Sequence, residues 1–285
     1  HFRCHYWFRT DIFVEFGEPI TIPLLDDAQH HAALAAGEWL EPPAERVIPL
    51  RDELYESLSH ITPDAPDWET YRAWHLLGHL RANSSGSPLG SLKQEVRAAR
   101  DIRERLRQSD GHHPLVEDAK EAAAILHSRD LDARSLDATG GIRAESKLAW
   151  GSLGVLTMLL TAPVTIPTTG LQALVGWYAG DRSDEGIDAR TTHHMIGAIL
   201  SPLLFWPLIS LAFLYSFVGA TALLPLYLAA SLPIIHMANL VFLQGYDMWT
   251  DFGDSRRSRR LASSAAGGRL EELVSQLVPR LGVLK

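Results

Sequence analysis

Two long stretches of the chain carry no charged side chain, one at 148–180 and the other at 191–246. A helix needs about 20 mainly apolar residues to cross a bilayer, so the first stretch is long enough for one span and the second for two. We predict three membrane segments, at about 149–178, 195–217 and 220–243. The hydrophobic pattern therefore predicts an integral membrane protein.

The first apolar stretch differs from the second because it contains Pro163 and Pro167. Prolines remove backbone donors, which is tolerated at membrane depth only where protein or water satisfies the exposed carbonyl groups. The segment is therefore either a kinked span or a re-entrant or interfacial segment. Clustered arginines at 256–260 favour a cytoplasmic tail. If the region before the membrane is also cytoplasmic, the number of crossings is even, and we favour two crossings.

Outside these stretches, apolar residues recur at three- and four-residue steps between charged ones, which predicts amphipathic helices. The predicted stripes are Leu50, Leu54, Leu58 and Ile61; Leu92, Val96, Ala99, Ile102 and Leu106; and, in the tail, Leu270, Leu273, Val274 and Leu277. Asp67 is placed to cap a further helix, because its side chain can accept from the free amide groups of the first turn. The region from 26 to 147 is thus predicted to be a helical connector.

The amino-terminal residues have a different period. Ile12, Val14 and Phe16 alternate with Phe13 and Glu15, and Gly17 and Pro19 follow as turn residues. This period of two predicts one strand of a larger sheet, whose partners lie before residue 1 or are missing. The chain also lacks an initiator Met, so we expect it to be the carboxy-terminal part of a longer polypeptide.

Two blocks of sequence carry a family resemblance. RTDIFVEFGEPI at 9–20 resembles the last conserved block of the glycerolipid acyltransferases, the superfamily of glycerol-3-phosphate and lysophosphatidate acyltransferases. ITPDAPDWETYR at 61–72 is similar to the segment that follows this block in the glycerol-3-phosphate and dihydroxyacetone-phosphate acyltransferases of fungi and in related bacterial proteins. The two blocks occur in the expected order, which makes the pair more specific than either block alone.

The resemblance implies a fold class and a division of the chain. The fold would be an α/β remnant, the end of an acyltransferase sheet, followed by an all-α connector and a helical membrane region. The implied parts are the end of a catalytic domain at 1–25, the connector at 26–147, the membrane region at 148–246, and a cytoplasmic tail with an amphipathic helix at 247–285.

The implied activity is that of a membrane-bound O-acyltransferase of phospholipid biosynthesis. It would transfer a fatty acyl group from acyl-CoA, or from acyl-carrier protein, to glycerol 3-phosphate or 1-acylglycerol 3-phosphate. In this family a His oriented by an Asp acts as general base on the acceptor hydroxyl. The implied partners are membrane lipids and these substrates, without a metal, a bound cofactor or nucleic acid. The membrane would be the endoplasmic reticulum in a eukaryote or the inner membrane in a bacterium, with the soluble parts cytoplasmic.

The family's His-x4-Asp motif and phosphate-binding block are not in their expected places, so we expect the catalytic residues upstream of this chain. His113 and Asp118 have the spacing of the motif, but they follow the Gly-x-Pro turn. Pro114 suits the first position of a helix and Glu117 its first turn, so the pair is better explained as a helix start.

Substrate-binding residues follow from the resemblance at the first block. Gly17, Pro19 and Ile20 would shape one wall of the pocket, with Gly17 allowing the backbone to approach the substrate closely. Arg3 and Arg9 are candidates for phosphate binding, because a guanidinium matches phosphate geometry. Packing against the rest of a sheet would explain the aromatic residues around them equally well.

Two other classes of function remain open. A membrane transport module would place polar groups within a span, and we single out His236 on that basis. A catalytically inactive membrane tether or scaffold would retain only the helical parts. The remaining histidines are scattered without acidic or Cys partners at ligand spacing, so we predict no metal site.

Overall fold

The structure is a computed structural model that describes residues 13–22, 28–38, 40–62, 64–83, 91–107, 114–137, 139–182 and 187–283. The chain divides into two compact units. The helical unit comprises His1–Ala144 together with Arg257–Lys285, and the apolar unit is Glu145–Arg256.

The described residues form eleven α-helices, and three continuous helical stretches, two of which include a π-helical turn, are long and apolar enough to cross a membrane. They are α1 (Ala28–Ala36), α2 (Ala44–Ile61), α3 (Trp68–Asn83), α4 (Leu92–Arg107), α5 (Pro114–His127), α6 (Leu148–Thr165), α7 (Leu171–Asp181), α8 (Ile187–Leu200), α9 (Trp206–Val218), α10 (Leu224–Ala262) and α11 (Ala265–Val283). The spanning candidates are Leu148–Gly170, Met195–Val218 and Leu224–Ala262. The prediction of membrane helices is therefore confirmed in the length and composition of these segments.

The core of the helical unit is built by α3, α4, α5 and α11. All five apolar residues of the predicted α4 stripe are buried, and so is the predicted tail stripe on α11. The tail helix, α11, packs against α3 and α5, so the segments before and after the apolar unit share one core. Both amphipathic helices were therefore predicted correctly from their spacing.

The start of α3 also follows the prediction. The Asp67 carboxylate accepts a hydrogen bond from the backbone N–H of Thr70 at 2.6 Å. This bond holds the pKa of Asp67 below its usual range, because it favours the ionised form. Asp67 is therefore the N-cap residue of α3.

Helix α2 forms where its stripe predicts, but none of its side chains is fully buried. Leu54 is 47% exposed and Leu58 is 43% exposed. The helix is held at its carboxyl end, where Arg103 donates to the carbonyl oxygens of Thr62 at 2.8 Å and Ser59 at 2.9 Å. Amphipathic spacing predicted the helix correctly, but it did not predict what the apolar face contacts.

The strand predicted over 12–16 is not observed. Phe13 to Ile22 have no regular secondary structure, and Val14 and Phe16 are 66% and 90% exposed. A strand requires a hydrogen-bonded neighbour, and within the described ranges no residue forms a ladder with this segment. The described part of the chain is consequently all-helical, and the α/β remnant is not shown.

The apolar unit is organised along α10. Helix α6 runs antiparallel to the second half of α10, with Gly154 against Gly245 and Gly151 against Phe252. Helix α9 leads into the start of α10 through the turn at Gly219, whose φ is +70°, and its first residue, Trp206, lies beside His236. The chain therefore turns between α9 and α10 at the boundary between the second and third predicted membrane segments.

Between α6 and α9 the chain makes an additional helical hairpin. Helices α7 and α8 pack against each other, and each is joined to its neighbour by a π-helical turn, Ile166–Gly170 before α7 and Ser201–Phe205 after α8. These two turns are in contact, so the hairpin ends close to where it begins. Prolines lie in or beside both turns, which accounts for the departure from α-helical geometry.

Candidate functional site

The amino-terminal segment that carries the first resemblance block is held on the helical unit by Glu15. Its carboxylate accepts a hydrogen bond from the Arg100 guanidinium and lies 3.7 Å from that of Arg97, both on α4. The hydrogen bond from Arg100 is the main cause that lowers the pKa of Glu15. Glu15 is therefore ionised at neutral pH and fixes this segment against α4.

The structure brings the two resemblance blocks together. A Cβ atom built on Gly17 would lie 3.4 Å from Cδ1 of Ile61, which begins the second block. Pro19 is exposed and Ile20 is half-buried. The Gly-x-Pro turn thus lies at the carboxyl end of α2, and its outer side faces solvent. Arg3 and Arg9, the predicted phosphate-binding residues, lie outside the described residues.

A small cleft lies between α3 and α4, lined in part by Arg100 and Arg103. Its volume is about 20 Å³, enough for one water molecule. Its other lining residues are Tyr71, Trp74, His75, Val96 and Ala99. The cleft is too small for a phosphate ester or an acyl chain, so we assign it no substrate.

A buried polar pair joins α3 to α4. His79 Nδ1 lies 3.0 Å from Glu95 Oε1, and the two side chains are 1% and 4% exposed. The helices approach closely here because position 78 is Gly: a Cβ atom there would be 2.4 Å from the carbonyl oxygen of Glu95. The pair has the composition of a general-base dyad, but it lies within the packed crossing of two helices. We assign it a structural role.

The spacing of His113 and Asp118 has the structural explanation predicted for it. Helix α5 begins at Pro114, and the Asp118 carboxylate pairs with the Arg280 guanidinium of α11. A second ion pair, between Glu121 and Arg269 at 2.8 Å, joins the same two helices and lowers the pKa of Glu121. These contacts join residues far apart in the sequence, and sequence reasoning did not find them. His113 lies outside the described residues.

Polar residues of the apolar unit were only partly recognised from the sequence. His236, singled out above, is exposed, and its ring centroid lies 6.1 Å from that of Trp206. Asn239, one turn further along α10, is 8% exposed. A long apolar run gives no signal of which side an amide within it faces, so sequence reasoning missed Asn239. In the part of the chain that the structure describes, no group of His, Cys, Asp and Glu is placed to hold a metal ion.

No family model, curated protein or solved structure matches this chain. The resemblance to glycerolipid acyltransferases therefore depends on the two sequence blocks alone. The structure itself shows a helical protein with three helical segments that are long and apolar enough to cross a membrane.

Proposed function

We propose that this chain is the carboxy-terminal part of a membrane-bound glycerolipid acyltransferase. The enzyme transfers a fatty acyl group from acyl-CoA or acyl-carrier protein to glycerol 3-phosphate or 1-acylglycerol 3-phosphate. One observation carries the proposal: the two separated blocks that resemble this family are in contact, with Gly17 packed beside Ile61. Residues that form one wall of a pocket are expected to meet in this way.

In this proposal the turn at Gly17 is the edge of a site whose reactive groups belong to a preceding catalytic domain. The sheet expected over 12–16 would form against that domain, because a strand needs a neighbour to satisfy its backbone. The upstream His, oriented by Asp, takes the proton of the acceptor hydroxyl as that oxygen attacks the thioester carbonyl. Gly17, Pro19 and Ile20 line the acceptor side, and Arg3 and Arg9 bind its phosphate.

The membrane arrangement is part of the same proposal. The segments on either side of the apolar unit share one core, since α11 packs on α3 and α5. Two segments of one folded unit lie on the same side of a membrane, so the number of crossings is even. Arginines at 256–260 favour the cytoplasmic side, where acyl-CoA is available.

The packing of the apolar unit is consistent with two crossings. Helices α6 and α9 both run antiparallel to α10 and cover its second and first halves, respectively. Together they make one crossing, and α10 makes the return. The α7–α8 hairpin ends near its starting depth, so it adds no net crossing. The re-entrant element is then this hairpin, rather than the whole first apolar segment.

Sidedness can be tested with the single native cysteine, Cys4. Membrane-impermeant maleimide should label Cys4, and also Ser263→Cys in a Cys4→Ser background, from the same side of sealed vesicles. Ala220→Cys, between α9 and α10, should be labelled only from the opposite side. Labelling of Cys4 and Ser263→Cys from opposite sides would contradict the two-crossing arrangement.

Activity is tested by comparing two polypeptides in membranes, residues 1–285 and the product of the intact gene. The assay follows labelled acyl-CoA into lipid with glycerol 3-phosphate or lysophosphatidate as acceptor. The intact product should be active and residues 1–285 inactive, because the catalytic pair is upstream. Activity of residues 1–285 alone would contradict that placement. An upstream sequence without a His-x4-Asp motif would instead favour a tether or a transport module.

A further inference from the structure

The apolar unit contains three deeply buried polar side chains whose hydrogen-bonding atoms are unsatisfied. Ser201 is 1% exposed, Thr165 is 7% exposed and Asn239 is 8% exposed. The hydroxyl groups of Ser201 and Thr165 and both amide atoms of Asn239 have no hydrogen-bond partner among the described residues. A buried polar group left unpaired costs about 1–3 kcal/mol, so several at one depth indicate that something else pairs with them.

Helix register brings these residues to one level. Gly154 and Met158 of α6 pack against Gly245 of α10. Thr165 follows Met158 by about two turns of α6. Because α10 runs antiparallel, the facing position lies about two turns before Gly245, so this register places Thr165 opposite Asn239. The site is thus formed on one side by the end of α6 and the middle of α10.

The other side is formed by the second π-helical turn. Ser201 begins this turn, which contacts the first π-helical turn after Thr165. Trp206 follows directly and stacks beside His236, one turn from Asn239. The Trp206 indole N–H and the Thr169 hydroxyl are also buried, with no partner in the described ranges. All five polar side chains therefore belong to elements that meet where α6 ends and α9 begins.

The chemistry of the site favours an uncharged ligand. Neither 148–180 nor 191–246 contains an Asp, Glu, Lys or Arg, and the His236 imidazole beside Trp206 is exposed, so no carboxylate, ammonium or guanidinium is there to neutralise a charged ligand. The groups present are hydroxyls, an amide and an indole, which donate and accept neutral hydrogen bonds. The Asn239 amide has both its donor and its acceptor atom available, and three hydroxyl groups accompany it. A ligand that both donates and accepts a hydrogen bond, as a hydroxyl group does, satisfies these groups best.

The depth of the site suits a hydroxyl that is withdrawn from bulk water. Asn239 lies eight residues before Asp247, the first charged residue of α10, or about 12 Å along the helix axis. Interrupted helices at membrane depth are tolerated where they line a polar cavity, and π-helical turns occur frequently at functional sites. We propose that Asn239, Ser201 and Thr165, with the Trp206 indole, form an intramembrane site for an uncharged hydroxyl group, supplied by water or by a neutral glycerolipid.

Radiolytic hydroxyl-radical footprinting tests this site, because radicals generated from a bound water oxidise the nearest reactive side chain. The full chain is placed in phosphatidylcholine nanodiscs, and oxidation of Trp206 is read by mass spectrometry. The matched control is Leu240→Trp, since Leu240 neighbours Asn239 but is 42% exposed on the outside of α10. Trp206 should be oxidised severalfold faster than the indole introduced by Leu240→Trp.

Two variants connect this signal to the site. Asn239→Leu and Ser201→Ala should each reduce oxidation of Trp206 severalfold, while oxidation of the exposed Trp68 in the helical unit stays unchanged and reports correct folding. Equal oxidation of Trp206 and the Leu240→Trp indole, or no effect of either variant, would overturn the proposal. Adding dioleoylglycerol distinguishes the sources: loss of Trp206 oxidation identifies the lipid hydroxyl as occupant, and an unchanged rate identifies water.

Discussion

Substituting Gly78 by Ala tests whether the close crossing of α3 and α4 limits the stability of the helical unit. The new Cβ atom would lie 2.4 Å from the backbone carbonyl oxygen of Glu95 and 2.9 Å from Cβ of Ala99. Neither atom can move without displacing α4, so we take the upper part of the overpacking range, about 3 kcal/mol. Alanine gains about 1 kcal/mol over glycine inside a helix, which leaves a net loss of about 2 kcal/mol.

Gly268→Ala is the matched control, because a Cβ atom at Gly268 in α11 has nothing within 4 Å. It keeps the gain in helix propensity without the clash, so the two variants should change stability in opposite directions. Thermal unfolding in detergent, followed by far-UV circular dichroism, should show Gly78→Ala lower than the parent by roughly 4–8 °C. A Gly78→Ala variant as stable as Gly268→Ala would refute the close approach of the helices.

Two other perturbations concern how the chain ends are held. The lowered pKa of Glu15 means that its contact with Arg100 contributes fully above the ordinary value of 4.5 and is lost as the pH falls through the lowered value. A fluorophore on Val14→Cys, at an exposed position next to Glu15, in a Cys4→Ser background should therefore become more mobile on acidification. It should already be mobile at neutral pH when Glu15→Gln is added, and equal behaviour of the two proteins would contradict the contact. Leu277→Ala in α11 truncates a fully buried side chain and should lower the free energy of unfolding by about 2–5 kcal/mol, measured by thermal unfolding. Val283→Ala, at a residue 84% exposed, should lower it little. Similar losses in the two variants would argue against docking of the tail helix.

The helices could be predicted largely from local patterns. The α4 and α11 stripes are buried, α5 begins at Pro114, and Asp67 caps α3, because each of these signals acts within a few residues. The long uncharged stretches likewise predicted the membrane helices. These features can be predicted without knowing what each helix packs against.

Features that depend on distant partners could not be predicted. Alternation at 12–16 is compatible with a strand, but the described residues offer it no neighbouring strand. The pairing of Asp118 with Arg280 joins positions 162 residues apart in the sequence. The turn at Gly17 was predicted as part of a site, and its position beside Ile61 became visible only in three dimensions.

The intramembrane polar residues show the same limit. His236 stood out in the sequence because it is ionisable, yet it is exposed, whereas the buried group is Asn239. Ser201 and Thr165 gave no signal, since hydroxyl residues are common in membrane helices and often bond to their own backbone. Only the meeting of the two π-helical turns places these residues at one depth.

The proposed role of residues 9–20 as one wall of an acyltransferase site is tested most directly by acyl transfer in the intact gene product carrying Gly17→Val. A valine side chain would contact Cδ1 of Ile61 and occupy the space beside the turn, so incorporation of labelled acyl-CoA into glycerol 3-phosphate or lysophosphatidate should fall about 10- to 100-fold. Gly268→Val, at a position with open space, should retain the parental rate at equal protein level. Full activity of Gly17→Val, or no acyl transfer by the parent with either acceptor, would contradict the account.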